Sequence, residues 1–304
     1  MLVRIAADRV EVQAPAKINL FLEILAKRPD GYHEIETLMS PIGLYDSLSF
    51  RPTESADILL DARWAAGTGL CHSGGVQQLG DLPPAEKNIV HQAASLLQER
   101  SGCERGAEIR LAKRIPSAAG LGGASSDAAA VLVAANIAWK LDWPRERLME
   151  LAAELGSDIP FFLGRGSAIC RGRGERIENT GPIHLHVVVA RPPVGLSTSQ
   201  VYKHCRPPST PVGVHKLQSG LRNGNWKEIK SALVNRLEEP AAQLTPWIGL
   251  LRKEFVSAGR IAQQMSGSGS SYFGICKNAR HARCVANRLR SKRVGMVTAT
   301  TTTG

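Results

Sequence analysis

The chain of 304 residues is poor in several features, and each absence narrows what it can do. Its six cysteines, Cys71, Cys103, Cys170, Cys205, Cys276 and Cys284, are scattered, with no C-x-x-C pair. That spacing argues against a disulfide framework or a structural zinc site, and points to a reducing, cytoplasmic compartment. No apolar run approaches the roughly 20 residues that span a bilayer; the longest, Ala128 to Ala135, falls well short. Arg4, Asp8, Arg9 and Glu11 break up the first residues, so no signal-peptide core is expected there. Aromatic residues make up 5% of the chain, which is sparse for a surface that stacks bases, and no RNA-binding signature occurs. There is no internal repeat, and no acidic residue follows Glu254.

What is present is core-forming material. With 43% hydrophobic and 21% charged residues the chain reads as globular, which excludes disorder throughout. At about 150 residues per domain the length suggests two domains, with a boundary near residue 180, giving 1–180 and 181–304. Lys and Arg outnumber Asp and Glu by 38 to 27, a formal net charge of +11. A basic balance fits nucleic acid, a membrane surface or a phosphorylated small molecule. Eight of these charges (Arg260, Lys277, Arg280, Arg283, Arg288, Arg290, Lys292 and Arg293) follow Glu254, so 11 − 8 leaves +3 for the rest. The charge therefore reads as a solvated C-terminal helix face and tail, with weak attraction for anionic substrates, rather than a binding groove.

Alternation at Val10, Val12 and Ala14, and again at Ile18, Leu20, Leu22 and Ile24, predicts strands that end at the turn Pro29-Asp30-Gly31. The Gly- and Pro-rich stretch from Gly67 to Pro84 reads as a surface insertion. Ile89, Ala93, Leu96 and Leu97 share a helical face, and Glu108 to Leu111 reads as a short strand. A further helix should start at Asp142 as N-cap, with Pro144 near its first turn. Its buried face would be Leu148, Leu151, Ala152 and Leu155, and Gly156 would stop it. Leu185 to Ala190 reads as a buried strand, Pro207 to Pro211 as a loop, and Thr298 to Thr302 as a frayed tail.

Gly120-Leu121-Gly122-Gly123-Ala124-Ser125-Ser126-Asp127 runs straight into an Ala/Val-rich helix ending near Trp139. Glycines let backbone approach an anion, and a helix start offers free N–H groups and a positive dipole end. Ser125 and Ser126 add hydroxyls that suit a phosphate or its metal. The segment is neither a Walker A loop nor a G-x-G-x-x-G fingerprint, and a tight turn with small residues for close packing is the plainer reading. A second loop, Ser266-Gly267-Ser268-Gly269-Ser270-Ser271, is weak alone but makes a nucleotide site more credible beside the first. Taken singly, Asp158 reads as the N-cap of a helix whose first turn carries Pro160, and Lys17 as a solvated strand-end lysine. Tyr32-His33 after the turn fits loop packing, and His184 and His186 fit a strand surface better than a metal site.

In combination, three segments in order resemble the GHMP kinase superfamily of galactokinase-, homoserine kinase- and mevalonate kinase-like enzymes. They are Pro15-Ala16-Lys17-Ile18-Asn19-Leu20, Pro116 to Asp127, and Met265 to Ser271. Two more, Lys27-Arg28-Pro29-Asp30-Gly31-Tyr32-His33-Glu34 and Leu155 to Phe162, narrow the resemblance to the branch whose acceptor is 4-diphosphocytidyl-2-C-methyl-D-erythritol. The resemblance implies an α+β, two-domain GHMP kinase fold. Its N-terminal nucleotide-binding domain would be ribosomal-protein-like, its C-terminal domain a ferredoxin-like α/β plait, and the active site would lie in the cleft between them. It implies ATP and Mg2+ as cofactors, and γ-phosphoryl transfer to the acceptor's 2-hydroxyl in the non-mevalonate isoprenoid route. No membrane or nucleic-acid partner is implied.

Position by position, the phosphate loop matches Pro116, Ser117, Ala118, Ala119, Gly120, Leu121, Gly122, Gly123, Ala124, Ser125 and Ser126. The catalytic aspartate matches Asp158, which would take the acceptor's proton, and the charge-stabilising lysine matches Lys17. Asn19 matches a substrate-side amide. Tyr32 and His33 match the pair that grips cytosine, and Thr198 and Tyr202 a segment whose aromatic stacks on its other face. Asn88 and Lys113 match positions near adenine. Two departures stand out. Alanines at 118, 119 and 124 sit where the family is richer in glycine, and their methyl groups suit only negative φ. No carboxylate in the loop presents itself as a magnesium ligand. A kinase for another small alcohol, such as mevalonate or homoserine, would have no flat base for Tyr32, His33 and Tyr202 to hold. A nucleic-acid-binding module would need stacking aromatics that the chain lacks.

Overall fold

The structure, a computed structural model, describes residues 1–66, 71–72, 75–76 and 82–303. The chain opens with strands β1 (Leu2–Ile5), β2 (Val10–Lys27), β3 (His33–Thr53) and β4 (Ile58–Trp64). Most of the Gly67 to Pro84 stretch expected as an insertion lies outside the described residues; within it β5 (Cys71–His72) and β6 (Gly75–Val76) pair antiparallel. Next come α1 (Ile89–Ser101), β7 (Gly106–Lys113), α2 (Gly123–Ala138), α3 (Arg145–Leu155), α4 (Ile159–Leu163), β8 (Ala168–Gly172) and β9 (Arg176–Asn179). The seven strands outside the β5–β6 pair form one sheet in the order β1-β2-β3-β7-β4, with β8 pairing β3 and β9 pairing β8. It is antiparallel except for β4 and β7, the parallel pair that α1 connects.

The second half supplies β10 (His186–Arg191) and then helices α5 (Thr198–His204), α6 (His215–Arg222), α7 (Trp226–Ala232), α8 (Glu238–Leu244) and α9 (Trp247–Ala258). It closes with β11 (Ala262–Met265), β12 (Tyr272–Cys276), α10 (Ala279–Ser291) and β13 (Met296–Thr301). The order β11-β12-β10-β13 is antiparallel throughout. Two split β-α-β units in one sheet are the α/β plait the sequence suggested, and the whole is α+β.

Strand β2 explains where the site can form. Val10 and Val12 alternate with half-buried residues, as in a strand wet on one face, but from Ala14 to Ile24 every residue is buried. One side of the sheet packs on α1 to α4 through residues such as Leu48, Phe50, Val131 and Leu151. The other side meets the second sheet, where Ile18, Leu20, Phe21 and Leu38 join Val187, Val189, Phe273 and Ile275. Pro15 sits inside β2 because the register shifts between Pro15 and Ala16, the kind of irregularity at which a strand tolerates a residue with no N–H. Lys17, Asn19 and Glu23 are consequently polar residues inside a strand covered on both faces.

Several local expectations change. Pro144, not Asp142, is the N-cap residue of α3, and Asp142 has a left-handed φ of +53°. The buried face of α1 is Val90, Ala93, Ala94 and Leu97, with Ile89 and Leu96 only half-buried. His184 precedes β10 rather than lying in it. The Thr298 to Thr302 tail is not frayed. Residues 296–301 pair along the full length of β10, because repeated threonines are good edge-strand residues once a partner strand exists. Thr302 is then buried, its Oγ1 donating to the Ile183 carbonyl and accepting from Leu185 N at 2.8 Å. Substituting Thr302→Val leaves both backbone groups without that partner and should cost about 2 kcal/mol of stability in urea unfolding; a frayed tail would show no change.

Candidate active site

The loop from β7 to α2 is fixed from below by charge. Asp46 on β3 is fully buried and accepts from the backbone N–H of Arg114 and from that of Ile115 at 2.8 Å. Its other oxygen takes the Lys113 ammonium at 2.5 Å, and Lys113 also reaches Asp127, in the first turns of α2, at 2.5 Å. Burial alone would pull the Lys113 pKa down, but its two carboxylates outweigh that and hold it above the usual lysine value. Burial also lifts the Asp127 carboxyl well above the ordinary range; Lys113 opposes that rise and the neighbouring Asp46 carboxylate adds to it. One cation therefore locks strand, loop and helix together.

Above this lock, Gly120 and Gly122 take left-handed φ values of +71° and +70° and approach their neighbours closely. A Cβ on Gly120 would lie 2.1 Å from the Ser266 carbonyl, and one on Gly122 would lie 3.0 Å from Lys17 Cγ. Gly122 starts α2 with no side-chain cap, so the first-turn N–H groups face a cavity lined by Gly122, Gly123 and Ala124. Ser125 and Ser126 are not in that lining; Ser126 is fully buried, and its hydroxyl has no hydrogen-bond partner. Ala124 lies in the helix, as an alanine should, but Ala118 does not meet the expectation of negative φ. Its φ is +50°, held where Leu196 N donates to its carbonyl at 3.2 Å.

Lys17 is not a solvated strand-end residue. It lies in the doubly covered part of β2 and is 3% exposed. Its Nζ donates to Asn19 Oδ1 at 2.6 Å and lies 3.7 Å from Asp158 Oδ2. Burial drags the Lys17 pKa below the ordinary lysine value, and Asp158 opposes the shift. Asp158 occupies the N-cap position of α4, yet its side chain caps nothing and is free to face Lys17. Asn19 donates to Thr37 Oγ1 at 2.8 Å, and its backbone N–H donates to Ser266 Oγ at 3.2 Å. Ser266 Oγ in turn donates to the Gly120 carbonyl at 2.9 Å, so three motifs far apart in the chain share one hydrogen-bonded chain.

Tyr32, His33, Thr198 and Tyr202 gather at the other end of the same cavity, which has a volume of about 900 Å³. Tyr32 follows the turn at Gly31 and is 54% exposed. His33 packs against Tyr202 of α5, ring centroids 5.2 Å apart and tilted by 39°. Burial, and then Lys27, lowers the His33 pKa, leaving a neutral ring with one donor and one acceptor at neutral pH. Burial and the nearby Asp158 push the Tyr202 phenol up, so it stays protonated. Thr198 Oγ1 pairs with Ser268 Oγ at 2.9 Å, joining α5 to the second Gly/Ser loop. Lys113 lines the cavity, whereas Asn88 does not: it is buried and caps α1, its Oδ1 accepting from Val90 N at 3.0 Å. The sequence reading missed Arg173, which lines the cavity from the β8–β9 turn; the signal was Gly172-Arg173-Gly174, an arginine presented between two glycines. Among the described lining residues Asp158 is the sole carboxylate, against Lys17, Lys27, Lys113, Arg173 and Lys203.

Residues 88–166 match the GHMP kinases N terminal domain, and residues 217–294 the GHMP kinases C terminal domain. The chain is 42% identical over 280 residues to the 4-diphosphocytidyl-2-C-methyl-D-erythritol kinase of Pelotomaculum thermopropionicum, covering 91% of this chain and 92% of that protein. It is 36% identical over 284 residues to the kinase of the same name from Bacillus pumilus, covering 93% of each. A crystal structure of 4-(cytidine 5'-diphospho)-2C-methyl-D-erythritol kinase superposes with a TM-score of 0.79 at 35% identity, over 97% of this chain and 100% of that one.

The left-handed alanine generates a test. A non-glycine residue in that region costs roughly 1–2 kcal/mol, and the Ala118 side chain is exposed, so its methyl contributes little packing. Ala118→Gly should raise the stability by about 1 kcal/mol, read as an upward shift of the urea midpoint. A fall in the midpoint would show that the methyl is needed where it stands.

Proposed function

The chain belongs to the GHMP kinases, and among them to the 4-diphosphocytidyl-2-C-methyl-D-erythritol kinases, and from this premise we propose how its residues divide the work. It is an ATP-dependent kinase that transfers the γ-phosphoryl group to the 2-hydroxyl of 4-diphosphocytidyl-2-C-methyl-D-erythritol, a step of the non-mevalonate isoprenoid route. The observation that carries the assignment of roles is that one cavity holds a helix N-terminus, a Lys17–Asp158 pair and an aromatic–imidazole clamp.

In the proposed arrangement the triphosphate lies on the loop 116–124 and the first turn of α2, with adenine toward Lys113 and the start of α1, where Asn88 caps the helix rather than lining the cavity. Ser125 and Ser126 stand behind that surface. Cytosine enters between Tyr32 and Tyr202, and His33 reads its edge through the two nitrogens of a neutral ring. That grip presents the 2-hydroxyl to Asp158, which accepts its proton as the oxygen attacks phosphorus. Lys17, held by Asn19, stabilises the charge on the reacting oxygen. Thr198 fixes α5 against the second Gly/Ser loop and closes the acceptor end.

Magnesium would suit this site as a cation carried by the nucleotide's phosphates, which it would neutralise. Asp158 is the one carboxylate among the described lining residues, and the buried oxygens without partners at the start of α2, Ser126 Oγ and Asp127 Oδ1, do not line the cavity. A hard cation that keeps most of its waters needs only one or two protein oxygens, so phosphate ligation fits this sparse donor set. The division into 1–180 and 181–304 is supported by the end of the first sheet at Asn179 and the start of the second at His186. Among the described residues no helix is long and apolar enough to cross a membrane. Free thiols at Cys103, Cys170, Cys205, Cys276 and Cys284 support work in the cytoplasm.

Asp158→Asn and Lys17→Ala should each nearly abolish ATP-dependent phosphorylation while leaving the circular dichroism spectrum unchanged; full turnover in Asp158→Asn would overturn the base assignment. Because Lys17 must be protonated and its pKa is lowered, the rate should fall as pH rises through a value below the usual 10.5. A panel of acceptors tests the clamp: equal rates with mevalonate and the cytidyl compound would refute it.

A further inference from the structure

We propose that Arg173 binds the diphosphate of the acceptor and thereby makes the site selective for a nucleoside diphosphate linkage. This inference rests on the acceptor proposed above. It starts from where the arginine is held. The β8–β9 turn places it between Gly172 and Gly174, whose φ values are +76° and +122°. Gly174 N donates to the Arg171 carbonyl at 3.1 Å, and Arg173 N donates to Glu175 Oε2 at 2.7 Å, so the turn is internally braced. On one side it leans against the reacting end: a Cβ on Gly174 would lie 3.7 Å from Asp158 Oδ1. On the other, the guanidinium carbon sits 5.0 Å from the centroid of the Tyr32 ring. Arg173 thus spans the interval between the cytosine clamp and the catalytic aspartate, which is the interval a diphosphate occupies when it joins the base's ribose to the acceptor alcohol.

Charge accounting singles out the same residue. Of the five cations among the described lining residues, Lys113 is consumed by Asp46 and Asp127, and Lys17 is shared between Asn19 and Asp158. Lys27 and Lys203 are exposed at the mouth and keep their hydration. Arg173 is half-buried and, among the described residues, forms no salt bridge with a carboxylate, although the exposed Asp30 feels its charge. A partly desolvated guanidinium with its fork open favours an oxyanion, and its planar donors match phosphate oxygens two at a time. The Tyr32 face holds the free side chain in position through a cation–π contact, so little ordering is needed when phosphate arrives.

The test uses a ligand series that adds phosphates one at a time. Cytidine, CMP and CDP are titrated by calorimetry into the wild-type protein, Arg173→Met and Arg173→Lys, each checked for folding by circular dichroism. The wild type should bind CDP more tightly than cytidine. In Arg173→Met that preference should shrink by about tenfold, as expected for loss of a charge-assisted hydrogen bond, and Arg173→Lys should restore part of it. In turnover assays the KM for the cytidyl acceptor should rise by a similar factor, with the KM for ATP unchanged. Equal weakening of cytidine and CDP would overturn the inference, since Arg173 would then act only on the ring clamp. A rise in the KM for ATP with CDP binding intact would also overturn it, by moving Arg173 to the nucleotide side. Failure of the wild type to bind any of the three cytidine compounds would instead refute the acceptor assignment itself.

Discussion

Everything at the reacting end of this protein depends on an ammonium group buried inside a strand. Lys17 is almost fully enclosed because β2 is packed on one side by helices and on the other by a second sheet. Such a position disfavours the charged form, and the structure answers with Asn19 at 2.6 Å and Asp158 at 3.7 Å. Those partners constrain what surrounds them in turn. Asn19 must reach Thr37 and Ser266, Ser266 must reach Gly120, and close packing leaves room only for glycine at 120, against the second loop, and at 122, against Lys17 and Phe162. The glycine motifs are therefore shaped by the lysine and by each other as well as by any phosphate.

The same economy of buried charge operates under the phosphate loop. Lys113 could have been a free cation in the cavity, but Asp46 and Asp127 take it up, and Asp46 also collects two backbone N–H groups of the loop. The backbone conformation that presents α2 to the cavity is thus anchored to β3, 68 residues away for Arg114. The cavity's remaining positive potential comes from Arg173 and the two exposed lysines, not from the C-terminal helix that dominates the chain's net charge. Counting charge along the sequence located most of the surplus correctly, since the outer face of α10 is exposed, but it could not see that a few cations converge on one concave surface.

How much was legible follows from how local each feature is. The strand through Val10 to Ile24, the glycine loop before α2 and the helix stop at Gly156 depend on neighbours a few residues away and appear where the pattern put them, though cover on both faces removes the alternation beyond Ala14. The motif segments meet in one cavity through contacts that no single segment displays; singly, Lys17 and Asp158 read as surface and cap. What escaped the sequence was non-local. The threonine tail became a strand because β10 supplied a free edge. Ala118 entered the left-handed region because Leu196, far along the chain, claims its carbonyl. Asn88 turned its side chain to its own helix, and Arg173 became visible only when a hairpin folded it over Tyr32.

The acceptor clamp is the feature that most needs both halves of the chain, since His33 is carried by the first sheet and Tyr202 by a helix of the second. Their 5.2 Å separation is set by what joins the halves. Leu22 N donates to the Val234 carbonyl at 2.7 Å and the Leu22 carbonyl accepts from Arg236 N at 2.8 Å, continuing the first sheet into the second half. Two buried glutamates complete the join: Glu23 holds the Arg236 guanidinium through both oxygens at 2.7 Å, and Glu36 accepts from Val214 N at 2.9 Å. Burial alone would raise the Glu23 pKa, but Arg236 and the N–H groups of Val212 and Ile24 outweigh it and hold the carboxyl below its usual value. This attachment is therefore strongest above the ordinary glutamate pKa and is lost as pH falls through the lowered one. The phosphate loop is held by other contacts, to Asp46 of β3, to Leu196 and to Ser266, none of which involves Glu23. The Asp127 carboxyl under the phosphate loop is instead lifted by burial, so it takes up its proton at a higher pH than Glu23, and the two ends of one cavity respond to acid in different pH ranges.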